Sequence, residues 1–377
     1  MKPLLICLLL ATWSAAAADK MPADFQAQAQ ESVQALVDAG KYPEAEQAAR
    51  KLVVAGDNQF GPNSAPALRA KIMLAGLFFA ENKQAEAESL LQSLSTILKP
   101  MPREEVRDFL ISQGRDIRTK MERGKFATAE PEFRTLIALD EQVLGGENDD
   151  TLLARSGRVT CLLELGKYAE AEKEQRAVVA VRERTLGPDD RQTLQARCSL
   201  ATLLIHAGNF AEAEAIISDV IPVSVRRLGP EHSTTLYALS IFASVLVYNE
   251  KFVEAEQVNR GLIPLQTRIF GPEHLNTLSS RSQLAKALLD QGKAAEAEQE
   301  HRAVLAIRER VYGAGQADTL QNCYNLALCL QAEKKTAEAL VYAQRAYEGR
   351  LKLLGKEHPN TLKAEKLVKS LGTAAKE

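Results

Sequence analysis

The chain has 377 residues, of which 46% are hydrophobic, 25% charged and only 5% aromatic, with a formal net charge of −2. That is ample apolar surface for folded domains, and too balanced a charge for general nucleic-acid binding. Both signs of charge are mixed along the chain, with no low-complexity tail, and the abundance of Ala, Glu, Leu and Gln favours helix over strand.

The first stretch differs from the rest. Met1-Lys2 gives a positive start, Pro3 to Trp13 an apolar run, and Ala16-Ala17-Ala18 a small-residue end. This is the layout of a signal peptide over residues 1–18, cleaved near Ala18, and the run is too short to span a bilayer. A buried N-terminal helix is the alternative. Cys7 lies inside the apolar run rather than after a lipobox, so no lipid anchor is expected. The expected location is exported, periplasmic or extracellular.

From Phe25 onward the sequence repeats itself every 42 residues. Gly40-Lys41-Tyr42, Gly124-Lys125-Phe126, Gly166-Lys167-Tyr168, Gly208-Asn209-Phe210 and Gly292-Lys293-Ala294 share one phase, with weaker copies at Asn82, Glu250 and Lys334. Alanine recurs five residues on, at positions 45, 87, 129, 171, 213, 255, 297 and 339. A fixed period of this length marks stacked supersecondary units rather than one globular core. About eight such repeats fill residues 19–360, and residues 361–377, made polar by Lys363, Lys366 and Lys369, form a capping helix.

Within one unit, Leu152, Val159, Leu162 and Leu163 recur at a helical period and define a first helix. Asp150 and its equivalents Thr234, Asn276, Asp318 and Asn360 are expected to cap its N-terminus. Gly166 ends it in the left-handed conformation. A second helix begins at about Ala169, with Glu170 and Glu172 favoured by the helix dipole, and stops at Gly187-Pro188. The repeated alanine is expected where the two helices cross, with Tyr168, Phe210 and Phe252 filling the corner below. The connector Pro100-Met101-Pro102-Arg103 breaks the Gly-Pro pattern, so units two and three keep their register but not necessarily the same geometry.

The string Leu228-Gly229-Pro230-Glu231-His232 with Thr235-Leu236, then Ala306-Ile307-Arg308-Glu309-Arg310 and Asn325-Leu326-Ala327, resembles the 42-residue tetratricopeptide (TPR) repeats of kinesin light chains. The resemblance implies an all-α, right-handed TPR superhelical solenoid of helix-turn-helix repeats with a concave groove. Motor association is not carried over, because no heptad segment accompanies the repeats.

Chemistry is hard to find. The repeated glutamates follow the period, whereas paired catalytic acids would break it. His232, His274 and His358 are aligned across units and read as loop residues too far apart for zinc, and His206 and His301 as satisfied or exposed singletons. No G-x-S-x-G, Walker loop or H-E-x-x-H occurs. Cys323 and Cys329 point to different helix faces and should not pair, Cys161 shares a packed phase with Cys329, and a Cys161–Cys198 bridge between neighbouring repeats is conceivable but not expected. No enzyme, cofactor or metal is expected.

Aligned by the resemblance, the concave face carries Gln195, Cys198, Ser199 and Thr202, then Tyr237, Ser240, Ser244 and Tyr248, then Ser279, Ser282, Gln283 and Lys286, then Tyr324 and Asn325. These suit an extended peptide or protein partner held by hydrogen bonds and aromatic contacts. The Lys/Asn/Arg set that clamps a C-terminal carboxylate in some TPR proteins is missing. Arg69, Arg115 and Arg118 map to the same phase in the N-terminal half, where an acidic partner segment or a merely charged helix face are the two readings. The expected function is a non-catalytic interaction scaffold, and the rival a self-assembling structural solenoid.

Overall fold

The computed structural model describes residues 23–374, with side chains from Ala29 onward. The expected signal peptide and Cys7 lie outside the described residues. Those residues form seventeen helices and no strand, in two compact bodies that meet in sequence at Thr185 and Leu186. The all-α expectation holds.

The first body holds α1 (Ala23–Asp38), α2 (Tyr42–Phe60), α3 (Ala65–Ala80), α4 (Gln84–Leu98), α5 (Arg103–Glu122), α6 (Phe126–Val143), α7 (Asp149–Glu164) and α8 (Tyr168–Leu186). The second holds α9 (Arg191–His206), α10 (Phe210–Leu228), α11 (Ser233–Tyr248), α12 (Phe252–Phe270), α13 (Leu275–Asp290), α14 (Ala294–Val311), α15 (Ala317–Ala332), α16 (Thr336–Leu354) and α17 (Pro359–Ala374). Within each body most consecutive helices are joined by short turns and pack against each other.

Local chemistry explains the boundaries. Gly166 adopts φ +72° at the α7–α8 turn, and Asn82, Glu250 and Lys334 take the same left-handed conformation at φ 58°, 60° and 62° without being glycine. In four units the threonine of the Thr-Leu pair ties the glycine stop to the next helix. Thr151 donates to the Gly145 carbonyl at 2.9 Å, Thr235 to Gly229 at 2.8 Å, and Thr277 and Thr319 to Gly271 and Gly313 at 2.9 Å. All eight repeated alanines are fully buried, as a close helix crossing requires. Of the corner aromatics, Phe210 and Phe252 are half-buried, while Tyr168 is exposed.

The expected caps are two residues out. Asn148 and Asp190 accept the N–H of Asp150 and Gln192, and His232, His274 and His358 accept those of Thr234, Asn276 and Asn360 through Nδ1. The residues expected to cap sit inside the first turn instead. The histidines expected to be plain loop residues are therefore helix caps.

The first body departs from the pattern of the second. There α9 packs on α11, α11 on α13 and α13 on α15, whereas α3 packs principally on α6 beyond its sequence neighbours. Pro102 starts α5 early in this body, and α3 meets α6 where Gly76 faces Glu132. Lys120 at the end of α5 bonds Gln34 of α1 at 2.7 Å and also pairs with Glu132. On α17, Glu365 and Lys369 take the places that Cys323 and Ala327 bury in α15, and they form an ion pair at 2.6 Å.

Candidate interaction surface

The successive packing of α9, α11, α13 and α15 brings most of the sequence-predicted concave residues onto neighbouring helices of the second body. Gln195 and Ser199 are exposed on α9, and Cys198 between them is fully buried, a correction to its expected place on the face. Helix periodicity separates them, because position 198 falls on the side packed against neighbouring helices.

Tyr237 of α11 is 39% exposed, and its hydroxyl shares a 3.1 Å hydrogen bond with the Thr202 hydroxyl of α9. Burial of that hydroxyl pushes its pKa up, partly offset by the Thr202 bond. Tyr248 is 50% exposed, and one face of its ring stacks on Phe210 with centroids 4.8 Å apart and planes within 5°. Both tyrosines are thus held in place by a neighbour with much of the ring still open.

The serines are less available. Ser240 donates to the Leu236 carbonyl at 3.0 Å, accepts from Gln266 Nε2 at 3.0 Å and meets the Ser280 hydroxyl at 3.4 Å. Ser244 donates to the Ser240 carbonyl at 3.3 Å, and Ser279 is half-buried. Lys286 is paired with Asp290 at 2.7 Å. Gln283 is half-buried with a buried Oε1 that has no partner. Asn325 accepts from Gln321 at 2.8 Å, and Tyr324 lies under the Arg350 guanidinium, 4.9 Å from its ring centroid.

In the first body Arg115 is exposed and Arg118 half-buried on α5, with Arg69 exposed on α3. No substantial packing of α3 on α5 joins Arg69 to the other two. Neighbouring Arg107 pairs with Asp150 at 2.7 Å.

Buried polar groups of the second body escaped the sequence reading. His301 is fully buried, not exposed or fully satisfied as expected. Its Nδ1 meets Asn322 Oδ1 at 2.8 Å, Asn322 Nδ2 donates back to the His301 carbonyl at 2.8 Å, and Nε2 has no partner. Burial holds its pKa down at about 4. Arg308 and Arg350 are also buried. Part of the signal lay in the sequence, since the position of His301 holds buried Phe133 and Ile217 in two other units and the buried polar residues Gln175 and Asn259 in two more.

Cys161, Cys198, Cys323 and Cys329 are all buried free thiols, and the conceivable Cys161–Cys198 bridge is absent. Burial pushes Cys161, Cys198 and Cys329 up to about 12, which marks packed hydrophobes rather than nucleophiles. Among the described residues no His/Cys/Asp/Glu group is arranged to hold a metal ion, and no helix is long and apolar enough to cross a membrane.

Tetratricopeptide-repeat family models match residues 31–96, 150–224, 277–318 and 319–360. No curated protein matches the chain. Among solved structures, a tetratricopeptide repeat protein from Parabacteroides merdae is 14% identical with a TM-score of 0.50, covering 92% of this chain and 98% of its own. A putative kinesin light chain from Podosopora anserina with nearly identical TPR-like repeats is 23% identical over 53% of this chain and 95% of its own, with a TM-score of 0.45. BtubC (BKLC) from P. vanneervenii is 21% identical over 66% and 94%, with a TM-score of 0.44. The chain carries tetratricopeptide repeats, which generally mediate protein–protein interaction.

Proposed function

We propose that the chain is a non-catalytic scaffold that binds an extended peptide segment of a protein partner along α9, α11, α13 and α15. The observation that carries this reading is the pair of braced, half-open tyrosines, Tyr237 and Tyr248, beside the exposed Gln195 and Ser199. Rings already fixed by Thr202 and Phe210 lose little conformational entropy on contact, so a partner gains most of the burial of their open faces. The uncharged amides and hydroxyls around them suit the N–H and C=O groups of an extended chain. The signal-like pattern of residues 1–18 supports action after export.

The test is affinity capture with the chain from Asp19 onward, alongside a second bait carrying Tyr237→Ala and Tyr248→Ala. The proposal expects a discrete partner on the first bait, and a segment of it that binds the purified chain and loses at least about tenfold in affinity on the second. A partner that binds both baits equally moves the site elsewhere, with Arg115 and Arg118 next. Recovery of the chain alone, with concentration-dependent mass in light scattering, favours the self-assembling solenoid. N-terminal sequencing of the secreted or periplasmic product, starting near Asp19, tests export.

A further inference from the structure

Three long polar side chains at one repeated turn of the second body are all but fully buried: Gln266 on α12, Arg308 on α14 and Arg350 on α16, which are 1%, 4% and 3% exposed. Each is aimed at neighbouring helices that bear the interaction surface. Gln266 Nε2 donates to Ser240 at 3.0 Å. Arg350 donates through Nη1 to the Asn360 carbonyl at 3.0 Å and through Nη2 to Gln321 Oε1 at 2.6 Å, with its guanidinium over Tyr324. Arg308 donates through Nη1 to the Asp318 carbonyl at 2.7 Å, while its Nε is buried without a partner.

Among the described residues neither guanidinium forms an ion pair with a carboxylate, and their hydrogen bonds go to neutral oxygens. That is unusual, because a cation removed from water is normally compensated by an opposite charge. In the first body Arg182, at the equivalent turn of α8, does pair with Asp149. The same burial holds the pKa of Arg308 and Arg350 below the usual arginine range.

The cover over Arg350 is the informative part. Gln321 is exposed, presents its amide oxygen to the guanidinium and directs its Nε2 to Asn325. A carboxamide oxygen there stands in for one carboxylate oxygen without the charge. A carboxylate brought from outside in its place would make a charge-assisted pair, stronger than the neutral bond it displaces.

Building on the peptide-binding reading, we propose that Arg350, with Arg308 on the preceding helix pair, recognises acidic side chains of the bound segment, Gln321 turning aside as a carboxylate takes its place. Helix packing puts equivalent points of neighbouring pairs roughly 10 Å apart. Three residues of an extended chain span roughly that distance, so acidic residues three apart fit best.

The probe is a labelled peptide of four Glu-Ala-Ala units, compared with its Gln-Ala-Ala counterpart, titrated into the purified chain by fluorescence anisotropy. The acidic peptide is expected to bind about tenfold tighter, with the preference falling as salt rises. Arg350→Gln, if it folds, should abolish the preference, while Tyr237→Ala weakens both peptides together. Gln321→Glu is the second arm, because it tethers a carboxylate to the guanidinium. It should raise the melting temperature by about 2–4 °C and remove the preference for the acidic peptide. Equal binding of both peptides, still weakened by Tyr237→Ala, overturns the arginine site and leaves the scaffold reading standing. Failure of both peptides to bind overturns the arginine site, while the scaffold reading stands or falls on the capture experiment. A melting temperature unchanged or lowered by Gln321→Glu removes the argument from the unpaired guanidinium.

Discussion

The Nδ1 atom of His232 accepts the backbone N–H of Thr234 at 3.1 Å and so caps α11 with an imidazole. His274 and His358 do the same for α13 and α17. A cap of this kind needs an acceptor and nothing else of the ring. His232→Ala should therefore cost about 1 kcal/mol, and His232→Asp should preserve or improve stability because its carboxylate also favours the helix N-terminus. Urea denaturation of the two variants checks this, and equal losses in both would assign the histidine some other role.

Turn residues with positive φ give a second prediction. Glu250 and Lys334 hold the conformation that Gly166 holds elsewhere, at the steric cost of a Cβ. Glu250→Gly and Lys334→Gly should each stabilise the second body by roughly 0.5–1 kcal/mol. Gly166→Ala should destabilise by roughly 1 kcal/mol although nothing lies within 4 Å of the added carbon, so the whole cost is conformational. Thermal melts of the three variants decide it.

The two bodies should respond to pH in opposite directions. Burial, with Asp150 and Glu141 nearby, pushes Asp140 up to about 8 from an unperturbed 3.8. Its folded pKa is raised, so its favourable contribution is complete at the acid end and is lost as pH climbs from about 4 to 8. His301 is depressed to about 4 from 6.5, so its contribution is present above 6.5 and is lost as pH falls toward 4. Hydrogen exchange followed between pH 4 and 8 should show the first body weakening as pH rises and the second strengthening. Asp140→Asn and His301→Asn should each flatten its own body's profile.

The repeated alanine supplies a steric prediction. Ala255 is fully buried, in a cluster with Leu246, Val247 and Ala287. Ala255→Leu should cost about 1–3 kcal/mol by overpacking, while a leucine at exposed Ala295 should change stability by less than about 0.5 kcal/mol. Chemical denaturation of both variants tests it, and a tolerated Ala255→Leu would mean the crossing can open.

Much of the helical organisation was legible because it is written in local rules. The glycine turns, the buried alanine phase and the Gly-Pro stops each depend on a few neighbouring residues, and the helices follow them. The caps were misplaced by two residues because the sequence offers a polar acceptor at both phases, and only backbone geometry selects between Asn148 and Asp150, or His232 and Thr234. Part of the candidate surface was legible for a similar reason: a helix face can be read from a period, and Gln195, Ser199, Tyr237 and Tyr248 are exposed. Cys198 did not, since one residue is enough to turn a side chain from the surface into the packing.

What the sequence by itself determined is the helical content, the spacing of the turns and the absence of any recognised catalytic or metal-binding motif, all of them properties of short segments. Tertiary structure alone decided which partner each helix takes. In the first body α3 packs on α6, so units that look equivalent in sequence pack differently there. It also decided which charges find partners, because Arg182 meets Asp149 while Arg350, at the same turn, meets the Gln321 amide. The physical reason is that burial and pairing depend on atoms brought together from helices far apart in the chain, where no local period reaches.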